Sequence, residues 1–169
     1  MVDLNAAYLQ SRGLLLIFFV VSPCLDTPEQ SLKAKVKWIQ DVMFVGESGS
    51  GHSVIMDGAP DAGGRNLGFR PMEMLLLGLA GCSAFDVVLI LKRGRENVTD
   101  CVVEVDADRA ETDPKVFTNV RMRYVVTGKG LDTNKVERAV ALSEEKYCSA
   151  SAIIAKTAQM SHTVEILEA

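Results

Sequence analysis

The sequence has few histidines and no closely spaced pair of cysteines. Its 169 residues contain two histidines and four cysteines, and no two cysteines form a Cys-x-x-Cys pair. This excludes a disulfide-stapled secreted scaffold and gives no support for a structural zinc site, so we predict neither a metal nor a cofactor. Basic residues are not in excess, because the net charge is −4. A nucleic-acid partner is therefore not expected.

The sequence also lacks a convincing targeting segment. The apolar run at residues 13–21 is far shorter than the ~20 residues that a membrane-spanning helix needs. It has neither the basic flank nor the small-residue cleavage site of a signal peptide. We therefore expect a cytoplasmic protein with no membrane partner. Regular patterning begins only near Lys33, which predicts an N-terminal extension at 1–32 and one domain at 33–169.

Alternating apolar and polar residues predict the strands. Two of them, 100–107 and 116–126, flank a short turn and form an antiparallel hairpin. The segment between the early strands and the first helix, 59–70, is rich in Gly, Pro and Asn, and its length favours a functional loop. The full set of predicted strands is 34–42, 43–45, 52–56, 100–107, 116–126 and 162–167.

One long apolar helix dominates the prediction. Pro71 suits its first turn, and residues 74–91 are apolar almost all round. Such a helix either spans a membrane or lies in a core, and Asp86 within it favours the core. A domain of this size would struggle to cover it alone, so we expect a homodimer. With further helices at 133–146 and 148–159, the fold class is α+β, with antiparallel sheets around a long buried central helix.

Two cysteines stand out as candidates for thiol chemistry. Cys82 lies in the long helix beside two glycines, and Asp86 is four residues on, on the same helical face. Cys148 lies where two predicted helices meet, and a helix N-terminus favours a thiolate. Each could equally be a buried structural cysteine. Cys101 faces the apolar side of a strand and is predicted to be core.

Four segments together resemble the OsmC/Ohr family, most closely its YhfA-like branch. The resemblance covers residues 33–169 and is carried by VKWIQDVMFVGESGSGH (36–52), RPMEMLLLGLAGCSAFDVV (70–88), FTNVRMRYVVTG (117–128) and EKYCSASA (145–152). It implies an OsmC-like fold and an intertwined homodimer. It also implies that Cys82 attacks a hydroperoxide and that Cys148 resolves the sulfenic acid as a disulfide, which a dithiol or lipoyl group reduces.

The sequence departs from the family pattern at the residues that activate the first thiol. Met72 stands where the family has an acidic residue after the proline, and Glu73 lies nearly opposite Cys82 on the helix. His52 stands in the strand region that supplies the family's arginine. The nearby arginines are Arg65 and Arg70 of the 59–70 loop. We therefore predict that Asp86 takes over the activation of Cys82 together with one of these arginines, and we assign Arg70 to the site.

The sequence thus favours a thiol-dependent peroxidase that acts on organic hydroperoxides through Cys82 and Cys148. The alternative is a non-catalytic OsmC-like module that binds an apolar small molecule beside the long helix. The two hypotheses differ in whether ligand binding depends on the oxidation state of the thiols.

Overall fold

The computed structural model describes residues 31–169, so the predicted extension at 1–32 lies almost wholly outside the described part. Six strands and three α-helices follow one another in the order expected for an α+β domain. The first sheet is an antiparallel meander in which the central strand pairs with both neighbours. Its strands are β1 (Ala34–Gln40), β2 (Met43–Ser48) and β3 (Ser53–Met56).

The segment after β3 is organised by one buried carboxylate. Asp57 accepts hydrogen bonds from the backbone N–H groups of Gly58 (2.8 Å), Arg65 (3.0 Å) and Leu67 (3.0 Å). The Leu67 N–H makes the largest contribution to lowering the pKa of Asp57, and the other two N–H groups add to it. The long loop is therefore tied back to the end of β3, which sets where the central helix begins.

We expect Asp57→Asn to lower the melting temperature by several degrees at neutral pH. Because the folded-state pKa of Asp57 is lowered, its contribution is present above the ordinary value of 3.8 and is lost as pH falls through the folded-state pKa. The difference between wild type and variant should therefore be constant from pH 7 down to about pH 5 and shrink as the pH falls further. Circular dichroism melts measure it, with the exposed Asp61→Asn as the control. An equal loss in both variants would contradict the role of Asp57.

The central helix, α1 (Pro71–Arg93), begins with proline at its first position, as the sequence predicts. Its start is capped by Glu73, whose carboxylate accepts the backbone N–H of Arg70 at 2.9 Å. By length and composition α1 could cross a membrane. In the fold, however, it packs against the second sheet and the next helix, with Leu79, Val87 and Leu91 fully buried. One face of α1 is therefore part of the core.

The second sheet consists of β4 (Asn97–Arg109), β5 (Phe117–Lys129) and β6 (Gln159–Glu168) in that order. The first two strands form the predicted antiparallel hairpin, with Val103 opposite Tyr124. The last strand departs from the predicted antiparallel pairing, because β6 runs parallel to β5. A helical connection separates these strands and returns the chain to the same end of the sheet, which is the arrangement that parallel pairing requires.

The connection between β5 and β6 holds the remaining helices. Asp132 caps α2 (Thr133–Leu142) through hydrogen bonds from the N–H groups of Asn134 and Lys135. The predicted helix to residue 146 is completed by a π-helical turn at Ser143–Tyr147. The next helix, α3 (Ser149–Ile154), is shorter than the predicted span of 148–159, because the chain enters β6 at Gln159.

The core lies between the second sheet and the helices, and one side of the chain is left uncovered. The inward side chains of β5, including Val120, Tyr124 and Val126, are fully buried. By contrast, Trp38 of the first sheet and Phe85 of α1 are 62% and 68% exposed. The central helix is thus buried on one face only within the single chain.

Candidate active site

The structure brings three of the four predicted site residues into one cluster. Cys82 and Asp86 project from successive turns of α1, and Cys148 is the N-cap of α3. The two Sγ atoms and a carboxylate oxygen of Asp86 all lie within 4.8 Å of one another. Two cysteines that are sixty-six residues apart in the chain are therefore neighbours in space.

Cys148 sits among hydrogen-bond donors. Its Sγ atom accepts the Ser83 hydroxyl at 3.4 Å and the backbone N–H of Ser151 at 3.4 Å. The buried Ser151 hydroxyl has no other hydrogen-bond partner within residues 31–169, so it too is available to this sulfur. Burial raises the pKa of the Cys148 thiol, but the hydrogen bonds from Cys82, Ser151 and Ser83 outweigh burial, and the net pKa is lowered.

The pKa of the Cys82 thiol is shifted in the opposite direction, upward. Burial raises the pKa of its thiol, and the hydrogen bond to Cys148 and the negative charge of Asp86 raise it further, against a lowering contribution from the Ala150 N–H. Of the two thiols, Cys82 is thus the one whose pKa is raised, and Cys148 is the one whose pKa is lowered. Cys82 is nevertheless the more accessible of the two cysteines. It is partly exposed, whereas Cys148 is only 2% exposed.

Asp86 is held by a serine rather than by an arginine. The Ser143 hydroxyl, at the start of the π-helical turn, donates to Oδ2 of Asp86 at 3.3 Å. Ser143 is fully buried, so the bond fixes the carboxylate beside the thiols. Among the main influences on the pKa of either cysteine, within residues 31–169, there is no lysine or arginine.

Arg70 is the predicted site residue that the single chain keeps apart from the cluster. It is the N-cap of α1, and its Nε lies 3.9 Å from Oε1 of Glu73. Twelve residues separate it from Cys82, which is about 18 Å along the helix axis at 1.5 Å per residue. Its predicted role in activating Cys82 has no contact to support it within one chain.

A series of buried and partly buried polar side chains adjoins the cysteines, and it was not predicted from the sequence. The fully buried Tyr124 donates its hydroxyl to Oε1 of Glu144 at 3.1 Å, and Oε2 of Glu144 lies 2.7 Å from Nδ1 of His162. Burial raises the pKa of Tyr124, and the neighbouring Ser83 hydroxyl acts in the opposite direction. The Tyr124 hydroxyl thus lies beside the serine that donates to Cys148. The one available signal was the inward phase of Tyr124 on its strand, since a buried tyrosine hydroxyl requires a partner.

The other candidate side chains lie away from the cluster. Cys101 is half-buried on β4, packs against the core as predicted, and has a pKa raised by burial. His52 is exposed at a turn of the first sheet, where its Nδ1 lies 3.2 Å from the Ser50 hydroxyl. Neither contributes to the arrangement around Cys82 and Cys148.

The accessible side of the cluster is apolar and open. Among the residues that the structure describes, a Cβ atom added at Gly78 or Gly81 would meet nothing within 4 Å. Leu77 and Phe85 flank these glycines on the same exposed side of α1. The two glycines therefore leave space next to Cys82 that an apolar molecule or another polypeptide could fill.

Comparison with known proteins places this arrangement in a family. A family described as OsmC-like protein matches residues 63–163. Protein YhfA of Escherichia coli strain K12 is 43% identical over 141 residues, which cover 82% of this chain and 100% of that protein. These matches span the central helix and both cysteines of the cluster.

Solved structures show the same fold. A hypothetical protein from Aquifex aeolicus VF5 superposes with a TM-score of 0.73 at 26% identity, covering 83% of this chain and 98% of that one. An organic hydroperoxide resistance protein OsmC from Legionella pneumophila superposes with a TM-score of 0.61 at 18% identity, covering 80% and 96%.

Proposed function

Because the chain belongs to the OsmC-like family, we propose that it is a thiol-dependent peroxidase that reduces organic hydroperoxides through Cys82 and Cys148. The observation that carries the proposal is the approach of the two sulfurs to within 4.8 Å, on a long helix and at a helix start. A disulfide needs an S–S distance of about 2.05 Å. Side-chain rotation can supply the remaining approach once one sulfur has been oxidised.

The exposure of the two thiols supports distinct roles for them. Cys82 is partly accessible and lies beside the open apolar space, so it meets the hydroperoxide. Cys148 is buried behind it and cannot be reached first. The Cys148 sulfur lies within 4.8 Å of the Cys82 sulfur and has the lowered pKa, so it supports removal of the Cys82 proton as Cys82 becomes the nucleophile.

The reaction then balances in two steps. The Cys82 thiolate attacks the outer oxygen of the hydroperoxide, the O–O bond breaks, and the alcohol leaves with one proton. Cys82 is oxidised to a sulfenic acid. The Cys148 thiolate next attacks the Cys82 sulfur, forming the disulfide as hydroxide leaves and takes up a proton to become water. A dithiol or lipoyl reductant returns two electrons and two protons, and no bound cofactor takes part.

The apolar surroundings support an organic rather than an inorganic peroxide. The exposed Phe85, three residues on from Cys82 along α1, offers an apolar contact beside the thiol. The similar Legionella protein bears the name of organic hydroperoxide resistance, which agrees with this choice. We propose further that the protein acts in the cytoplasm as a homodimer, with no nucleic acid or membrane as partner.

The alternative function is a non-catalytic module that binds an apolar small molecule. The open space at Gly78 and Gly81 supports it, as does the lack of a lysine or arginine among the main influences on the thiols within the described residues. A binding module would hold its ligand equally well with the cysteines reduced or oxidised, whereas the peroxidase would turn over only with reduced thiols.

Stopped-flow oxidation of the reduced protein tests the proposed function. We expect cumene hydroperoxide to oxidise it about tenfold or more faster than hydrogen peroxide, the scale of discrimination that apolar contacts confer. Tryptophan fluorescence or loss of free thiol follows the reaction. Equal slow rates for both peroxides, comparable with those of free cysteine, would refute the peroxidase and favour the binding module.

A further inference from the structure

The cluster at Cys82 has the composition of a cation site as well as that of a redox pair. Two sulfurs and one carboxylate oxygen converge within 4.8 Å. With both thiols ionised they would carry three negative charges, and the main groups acting on the thiols in residues 31–169 include no positive side chain. Two cysteine sulfurs and one carboxylate oxygen that converge in this way are a ligand set that divalent metals of the zinc class take.

We propose that the reduced protein binds one thiophilic divalent cation of the zinc class, through the Sγ atoms of Cys82 and Cys148 and one oxygen of Asp86. Zinc takes Zn–S distances of about 2.3 Å and Zn–O distances of about 2.0–2.2 Å, which place tetrahedral ligand atoms roughly 3.5–3.8 Å apart. The three ligand atoms need to contract by only about 1 Å to reach this geometry. Water takes the fourth position on the accessible side.

The surroundings of the three ligands suit this site. Ser143 donates to Oδ2 of Asp86, which orients the carboxylate beside the two sulfurs. Ser83 and the Ser151 N–H donate to the Cys148 sulfur, and such bonds stabilise a metal-bound thiolate. Cys82 and Asp86 are four residues apart on one helix, so they form a rigid two-ligand pair.

The inference goes beyond the proposed peroxidase and does not depend on it, because it needs only reduced thiols and no peroxide. The metal and the disulfide compete for the same sulfurs. Bound metal therefore protects the thiols from oxidation, and the disulfide form binds no metal. This differs from the prediction made from the sequence, where the distance between the cysteines along the chain gave no sign of a metal site.

Anaerobic titration of the reduced full-length protein with cobalt(II) tests the proposal. Cobalt(II) takes the tetrahedral geometry of zinc but absorbs light when thiolates bind it. We expect near-ultraviolet charge-transfer bands and visible tetrahedral bands that saturate at one cobalt per chain and disappear when zinc is added. The double variant Cys24→Ser, Cys101→Ser should keep these bands, whereas Cys82→Ser and Cys148→Ser should each lose them.

The aspartate distinguishes a built site from a chance encounter of two thiols. Asp86→Asn should lower cobalt affinity by about tenfold or more, and Ser143→Ala should lower it by about tenfold, as outer-shell changes do. Absence of charge-transfer bands in the wild type, or an unchanged affinity in Asp86→Asn, would overturn the proposal. Cobalt bands together with thiols that ignore peroxide would refute the peroxidase alone, while peroxide reactivity without cobalt bands would refute the metal site alone.

Discussion

Cys82→Ser should reduce rapid peroxide consumption by about 10³-fold or more, because serine is not ionised at neutral pH and cannot replace the nucleophile. Cys148→Ser should behave differently. It retains the accessible thiol, so it should consume about one equivalent of peroxide and then stall as sulfenic acid or proceed to sulfinic acid. Stopped-flow kinetics and intact-mass spectrometry of both variants measure this asymmetry.

Cys101→Ser is the matched control for these variants. Its sulfur is half-buried against the core on β4, and burial raises the pKa of its thiol. The substitution should leave peroxide consumption unchanged. A reactive Cys148 with an inert Cys82 would contradict the proposed roles. That result would favour Cys148 as the nucleophile, because hydrogen bonds lower the pKa of its buried thiol.

Phe85→Asp should convert a dimeric protein into monomers. We propose that a second copy covers the exposed side of α1, where Phe85 is 68% exposed, Leu75 53% and Leu77 49%. Burial of a phenylalanine contributes about 2 kcal/mol, and a two-fold symmetric interface contains it twice. The dissociation constant should therefore rise by about 10³-fold, which sedimentation velocity at micromolar concentration would detect.

Val102→Asp provides the control for this surface. Val102 is 44% exposed on β4, and its immediate neighbours Cys101 and Val103 pack against the core, so it points to the opposite face of the sheet. This variant should remain dimeric. A wild type that sediments as a stable monomer, or equal effects of the two substitutions, would contradict a dimer built on α1.

Much of the fold could be predicted from local patterns. Pro71 gave the start of the central helix, and the alternation around Val103 and Tyr124 gave the antiparallel hairpin. The parallel pairing of β6 could not be predicted in this way. Alternation shows which side chains face the core but not in which direction a neighbouring strand runs. The π-helical turn at Ser143–Tyr147 was also hidden, because its residues suit an ordinary helix.

Only part of the candidate site could be predicted from the sequence, for a similar reason. The pairing of Cys82 with Asp86 follows from helical spacing alone. The role of Cys148 rested on the family resemblance, since no local rule joins residues so far apart in the chain. The contact between Glu144 and His162 depends on how the helical connection packs beside β6, so the sequence carried no direct sign of it. Arg70 was chosen by its place in the chain, and helical rise keeps it distant from Cys82 within one chain.

Peptide mapping under non-reducing conditions, after one equivalent of cumene hydroperoxide, tests the account most directly. We expect one dominant product, an intramolecular disulfide between Cys82 and Cys148, with Cys101 still free. This follows from the convergence of the two sulfurs within 4.8 Å and from the half-buried position of Cys101. Oxidation spread equally over Cys82, Cys101 and Cys148, or a disulfide that joins Cys101 to either of the others, would contradict it.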